Sequence, residues 1–209
     1  MKPTDAEKAY SQIKKDIIRT KMLPGSVISE PKIMDELDLG RTPIREAIKQ
    51  LQTENLIKVT PRKGMYVAEI AVTDLTQLFE VRVELEALAA RLATQRITKE
   101  QLARLKTLGE TYKQAKTKDK DVLIEIDHAF HKLIYEAAHN KFLSKELDHF
   151  YNLSLRIWYL AINYAQAEDI HVNAHVDIFE AIESGDAQGA GQRMKIHVDK
   201  FHQTIKKYL

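Results

Sequence analysis

The sequence predicts a mainly α-helical protein in two parts. About residues 1–69 form a helix-turn-helix followed by a two-stranded hairpin, and residues 70–209 form an all-α antiparallel bundle of six helices. Three observations predict this. Arg41-Thr42-Pro43-Ile44-Arg45-Glu46-Ala47-Ile48 is an amphipathic run with a proline near its start. Two β-prone runs, Leu56–Thr60 and Met65–Val67, flank Pro61-Arg62-Lys63-Gly64. Beyond Ala68–Thr73 the strand pattern stops and helical spacing continues to the C-terminus.

The first helix of the pair opens at Ile28-Ser29-Glu30, with Ser29 as its cap and Pro31 in its first turn. Ile33, Met34 and Leu37 are its apolar positions. In the second, Thr42 is expected as N-cap and Pro43 as the first helical residue, where its missing N–H has no intrahelical partner anyway. Ile44, Ala47, Ile48 and Leu51 fall on one face, and Arg45 and Lys49 share another, with Thr42 above them and Arg41 just before. Glu54 ends the run, and Asn55 can take the left-handed conformation. In this arrangement the second helix enters the major groove of DNA.

The hairpin that follows carries Arg62 and Lys63 at its tip and reads as the wing of a winged helix, placing those residues over phosphates or in the minor groove. Residues 41–63 hold six basic side chains against two acidic ones, although the whole chain is only +2. Such a modest local excess suits specific binding by a dimer rather than coating of DNA.

Pro24-Gly25, Ile28-Ser29-Glu30, Arg41–Ile48, Glu54-Asn55-Leu56-Ile57 and Gly64 together resemble the GntR family of bacterial transcription regulators over about residues 8–69. Gly40 stands where that family commonly has Ser, which removes one hydroxyl contact to phosphate. Asn55 stands where it commonly has Gly, a mild change. The resemblance implies Arg41 and Arg45 as DNA-reading arginines, Thr42 as a backbone contact, and Gly64 as the residue that lets the wing approach the duplex.

Composition bounds the rest. With no cysteine there is no disulfide framework and no thiolate metal site. Met1–Asp5 has no apolar signal region, and no apolar run approaches the ~20 residues that span a bilayer. The expectation is a cytoplasmic protein.

In the second part, Thr73 or Asp74 is expected to cap a helix running to about Gln95, and Thr98 with Gln101 forms a capping-box pattern for the next. A lysine-rich turn, Lys116–Lys120, precedes a third helix ending near His139-Asn140. A fourth runs through Leu143–Tyr164 and a fifth through Glu168–Glu183. Gly185-Asp186 ends that one and caps the last. The apolar stripes are interrupted by polar residues. The first reads Leu75, Leu78, Arg82, Leu85, Ala89, Leu92; Asp127 with Phe130 or His131, then His175, then His197 interrupt the others. Five ionisable groups thus point at one interior, and unpaired burial costs several kcal/mol each. His128, His149 and His202 lie on polar faces and His139 at a helix end, so these are expected in solvent.

Asp127 and His131 are four apart on one helix face and can chelate together. His175 lies 10 residues before Gly185 and His197 lies 12 after, roughly level across an antiparallel hairpin at about 1.5 Å rise per residue. One carboxylate and three imidazoles suit a divalent metal: zinc first, nickel or manganese as alternatives. His171 with His175 is a rival ligand pair.

Asp127-x-x-x-His131, Asn140, Ala174–Ile182, Gly185-Asp186 and Met194–His197 resemble the FCD ligand-binding domain of FadR-type regulators over roughly Leu75–Phe201. The resemblance implies Asp127, His131, His175 and His197 as metal ligands, and six helices suggest the VanR-like branch. Arg82 lies in Phe79–Glu86, which resembles the start of that domain. It either takes a carboxylate effector bidentately or pairs internally with a glutamate such as Glu86.

The expected function is a homodimeric regulator that reads a pseudo-palindromic double-stranded operator. A small carboxylic acid bound at the metal controls its affinity, most simply as a repressor. A metal sensor and a metal-dependent hydrolase are the alternatives. The hydrolase lacks a free carboxylate at fixed spacing from the ligands to act as general base. No catalytic residue is expected.

Overall fold

Side-chain caps set the starts of the first two helices of the amino-terminal unit. The structure, a computed structural model, describes residues 2–62, 64–69, 71–114, 120–161 and 173–207. Two compact units result, Met1–Ala71 with Asn152–Leu160, and Val72–Tyr151 with Ala161–Leu209. The division expected between residues 69 and 70 is contiguous, whereas nine residues late in the chain group with the first unit.

In the first unit, α1 (Asp5–Ile18) starts at a capping box. The Thr4 hydroxyl accepts from the Glu7 N–H at 3.2 Å, and the Glu7 carboxylate accepts from the Thr4 N–H at 2.7 Å. Ser29 caps α2 (Glu30–Leu37), which ends on Asp38 in the left-handed region. α3 (Arg41–Thr53) begins earlier than expected: Gly40, not Thr42, is its N-cap, with no side-chain cap bond. Pro43 is therefore the third helical residue, and its missing N–H is harmless there too, because no N–H of the first turn has an intrahelical acceptor. Asn55 takes the left-handed conformation, φ 57°.

β1 (Ile57–Thr60) and β2 (Gly64–Val67) pair antiparallel, with Ile57 opposite Val67 and Thr60 opposite Gly64. The Ile28 N–H donates to the Met65 carbonyl, so the segment before α2 lies along the hairpin. Ile13, Ile17, Ile33, Ile44, Leu51 and Leu56 form the centre of this unit's core. Each fully buried aliphatic side chain contributes about 1.5–3 kcal/mol. Leu153 packs against that core, and the fully buried Arg156 donates to the Ala68 carbonyl.

Among the described residues, the remainder is six helices: α4 (Val72–Arg96), α5 (Lys99–Gln114), α6 (Lys120–Ala137), α7 (Lys141–Ala161), α8 (Asn173–Glu183) and α9 (Ala187–Lys206). α7 supplies Asn152–Leu160 to the first unit. α4 packs on α9 and α6, α5 on α6 and α8, and α8 on α9. The chain is thus mainly α with a two-stranded wing.

The starts follow local chemistry. Thr98 and Gln101 exchange side-chain-to-backbone bonds of 3.1 Å ahead of α5. Asn140 Oδ1 accepts from the Phe142 and Leu143 N–H groups at 3.2 Å. Gly185 takes φ 76° between α8 and α9, and Asp186 accepts from the Gly189 N–H at 2.8 Å.

Three expectations change. α4 starts at Val72, so Thr73 and Asp74 lie inside its first turn. Of its expected stripe Leu75, Arg82 and Ala89 are buried, whereas Leu78, Leu85 and Leu92 are only half-buried and Phe79, Glu86 and Ala93, each one position on, are buried in their place. His202 is buried at 6% exposure and stacks on Phe79 at 4.5 Å, since it follows Val198 by four residues on the inward face of α9. The Lys116–Lys120 turn, the 162–164 and 168–172 helix ends and His171 fall largely or wholly outside the described residues.

Candidate nucleic-acid interface and metal centre

The exposed face of α3 follows from its buried one. Ile44, Ala47, Ile48 and Leu51 are held in the core, which turns Arg41, Thr42, Arg45 and Lys49 outward. Arg45 is not loose: its Nε donates to both carboxylate oxygens of Glu30, at 3.1 and 3.0 Å. Sequence spacing does not mark Glu30 as a site residue, because its partner lies 15 residues away across the turn. At the wing tip Arg62 is exposed with φ 65°, and Gly64 has φ 97°. A Cβ at Gly64 would meet nothing within 4 Å, so backbone conformation rather than crowding calls for glycine there. Lys63 lies outside the described residues.

In the second unit, α6 places Asp127 and His131 one turn apart, α8 brings His175 and α9 brings His197. All four are buried, and one ligand atom from each lies within 4.8 Å of the others. His175 Nε2 is 2.8 Å from Asp127 Oδ1, His131 Nε2 is 3.9 Å from that oxygen, and the Nε2 atoms of His131 and His197 are 3.1 Å apart. The four residues that spacing singles out are thus brought together.

Partners behind these residues fix their orientation. Glu86, fully buried on α4, places Oε2 2.9 Å from His131 Nδ1. A carboxylate only accepts, so Nδ1 carries the proton and, in the neutral ring, the His131 Nε2 lone pair faces the cluster. Glu86 Oε1 accepts from Tyr135 at 2.6 Å and from Arg82 Nε at 2.8 Å. The Tyr151 hydroxyl donates to Asp127 Oδ2, leaving Oδ1 turned to the histidines. Sequence reasoning does not find these two supports of the cluster. The signal for Glu86 is its place four residues after Arg82; Tyr151 carries none that distinguishes it from core packing.

The electrostatics follow the same contacts. Burial alone would raise the Glu86 carboxyl, but the charges of His131 and Arg82 hold it down at about 2. Asp127 is likewise pulled below its ordinary range, against burial, by His131 and His175. Burial lowers His131, yet Glu86 and Asp127 outweigh it and raise the ring above 6.5. His197 is pushed well below 6.5 by burial and by the neighbouring imidazoles, so it is neutral near pH 7. Arg82 stays charged, because Glu86 offsets its burial.

The donor set fits a divalent cation. Two imidazole Nε2 atoms 3.1 Å apart cannot both carry protons; a single shared proton satisfies them, and so would a cation taking both lone pairs. One carboxylate oxygen and three imidazole nitrogens are ligands that zinc and its first-row neighbours accept. Arg82 lies outside this set. It is 2% exposed, ion-paired to Glu86 at 2.8 Å and stacked over the Tyr151 ring at 4.8 Å.

Comparison with known proteins follows the same division. Residues 5–67 match the family described as bacterial regulatory proteins, gntR family, and residues 77–200 match the FCD domain. This chain belongs to the GntR family and carries an FCD domain. It is 30% identical over 206 residues to the HTH-type transcriptional regulator YdhC of Bacillus subtilis, covering 96% of this chain and 90% of that one. It is 24% identical to the HTH-type transcriptional repressor RspR of Escherichia coli, covering 96% and 88%. The solved structure of E. coli McbR/YncC superposes with a TM-score of 0.88 at 20% identity, covering 99% of each chain, a likeness of fold. The family and its members are DNA-binding transcription regulators, not enzymes. No described helix is long and apolar enough to cross a membrane.

Proposed function

We propose that this GntR-family chain is a metabolite-responsive regulator whose residues 1–69 bind DNA and whose residues 70–209 bind the effector. Two copies form a cytoplasmic homodimer and read a pseudo-palindromic double-stranded operator, one α3 per half-site. Arg41 and Arg45 read base edges, Thr42, Lys49, Arg62 and Lys63 hold the backbone, and Gly64 lets the wing close on the duplex. Asp127, His131, His175 and His197 hold a divalent metal, zinc in the first instance, with nickel and manganese as alternatives. The metal supplies a Lewis-acidic point for the carboxylate of a small organic acid, which Arg82 also engages. The acid controls operator affinity only insofar as it favours one arrangement of the dimer over another. Repression is the proposed direction, as the relative RspR is a transcriptional repressor.

The observation that carries this reading is the buried cluster of one aspartate and three histidines, with ligand atoms within 4.8 Å of one another. Elemental analysis with native mass spectrometry of the purified full chain tests it. The expected result is one metal per subunit, two subunits, and a co-purified acid or a vacant position that accepts one. A dimer with no bound metal after incubation with zinc, nickel or manganese overturns it. A second reading, in which the ion itself is the signal, is favoured by the pairing of Arg82 with Glu86, which leaves the guanidinium already neutralised. Operator binding that responds to chelator and to metal, but to no acid, selects that reading.

A further inference from the structure

We propose that Glu30 is a positioning residue for DNA reading: its carboxylate holds the Arg45 guanidinium by Nε, so that the terminal amino groups are presented as a fixed fork to a base edge. This rests on Arg45 reading a base, as proposed above. Both bonds between the two residues run through Nε, at 3.1 and 3.0 Å. The two Nη groups carry four of the five guanidinium donors, and a fork of this kind pairs with O6 and N7 of guanine in the major groove.

Glu30 is well placed to act as a support. It is the first residue of α2, behind the Ser29 cap, and Ile33 one turn on is buried in the core. Its side chain is 18% exposed while that of Arg45 is 62% exposed, so the fixed partner is the carboxylate and the presented one is the arginine. A pair this exposed on the arginine side adds little stability. A carboxylate at a surface facing a polyanion also works against binding. Its benefit lies in geometry: a long side chain that is already oriented gives up less rotamer freedom when it docks.

Another role for Glu30 is to favour the N-terminus of α2 through the helix dipole. Glu30→Asp separates the two. It keeps a negative charge at the first helical position and the net charge of the chain, but one methylene fewer withdraws the carboxylate from Nε. The probe is a duplex selected by the parent full-chain protein from a random-sequence pool, then altered one base pair at a time, with Kd measured at a single salt concentration. Arg45→Ala is expected to flatten discrimination at one base pair per half-site, where a bidentate contact gives about 5- to 100-fold. Glu30→Asp is expected to lose about threefold or more of the discrimination at that same pair and none elsewhere. Adding Glu30→Asp to Arg45→Ala should then change nothing further.

If Arg45→Ala flattens one pair and Glu30→Asp leaves it as sharp as in the parent, Glu30 is not a positioning residue. Uniform weakening at every pair by Glu30→Asp assigns it to helix stability and likewise overturns the positioning role. If Arg45→Ala leaves every pair discriminated as before, the base-reading assignment itself fails and takes this inference with it.

Discussion

Replacing Glu86 by alanine tests whether the carboxylate is the keystone of the buried network. Its two oxygens take four donors: Arg82 through Nε and Nη2, both at 2.8 Å, Tyr135 at 2.6 Å and His131 at 2.9 Å. Arg82 and Glu86 are 3% and 0% exposed, so truncation leaves a guanidinium in the interior without its counter-charge. Breaking a buried pair from one side costs about 3–5 kcal/mol. For a chain of this length each kcal/mol lowers Tm by roughly 2–4 °C, so Glu86→Ala is expected to unfold roughly 6–20 °C below the parent. Far-UV circular dichroism at pH 7 with excess chelator reads this without a metal contribution. A zinc competition titration reads the second consequence, an affinity about 10–100-fold weaker once His131 loses its Nδ1 acceptor. A variant that melts within about 2 °C of the parent refutes the assignment of Arg82 and His131 to a shared carboxylate.

Three further outcomes are expected. His175→Ala should lower zinc stoichiometry, and added zinc should then raise Tm less than in the parent, where zinc at 100 times its Kd contributes about 2.7 kcal/mol; unchanged metal content removes His175 from the ligand set. Arg45→Ala should weaken operator binding by about 1–3 kcal/mol per half-site, and equal affinity for parent and variant excludes a base contact. In metal-free protein the Glu86 carboxyl, lowered from 4.5 to about 2, gives stability that is complete above pH 4.5 and lost as pH falls toward 2, about 3 kcal/mol in all, whereas the raised His131 acts oppositely and loses its contribution as pH rises above 6.5. The stability gap between parent and Glu86→Gln should therefore close between pH 4.5 and 2 in an acid titration; a constant gap contradicts it.

The sequence makes legible whatever is written at short range. Ser29, the Thr98–Gln101 pair and Gly185-Asp186 mark helix ends by their own hydrogen bonds, and each does so in the structure. The cluster residues are legible because four-residue spacing pairs Asp127 with His131 and helix rise levels His175 with His197 across the Gly185 turn. α1 is not among the expected helices, although Thr4, Glu7 and the Ala9–Ile13–Ile17 spacing carry an equally local signal for it. What escapes depends on contacts across the fold. Glu86 is legible as an internal partner for Arg82, but its hold on His131 is not, since that contact exists only once α6 packs against α4. Half of the expected α4 stripe gives way to the residue one position on for a related reason. Leu78 and Phe79 compete for the core, and the aromatic ring stacks on His202 and lies tilted against Phe201, residues more than 120 positions away. The polarity of its neighbours points His202 to solvent, though its spacing from Val198 and Ile205 marks the inward face.

If Arg82 engages an acid as proposed, the buried network links that ligand to the proposed metal ligands. Its guanidinium is committed to Glu86 and lies against the rings of Tyr151 and Phe79. An acid that engages Arg82 must share or displace Glu86, which also holds His131 Nδ1. Displacement weakens the acceptor that orients a metal ligand, while sharing leaves it in place. By linkage, whatever factor the acid imposes on metal affinity, the metal imposes on acid affinity. Tyr151 reinforces this dependence, since it contacts both the guanidinium face and Asp127 Oδ2. An effector that displaces Glu86 from Arg82 is therefore coupled to the metal, because the guanidinium and two of the four proposed ligands are joined through the same buried groups.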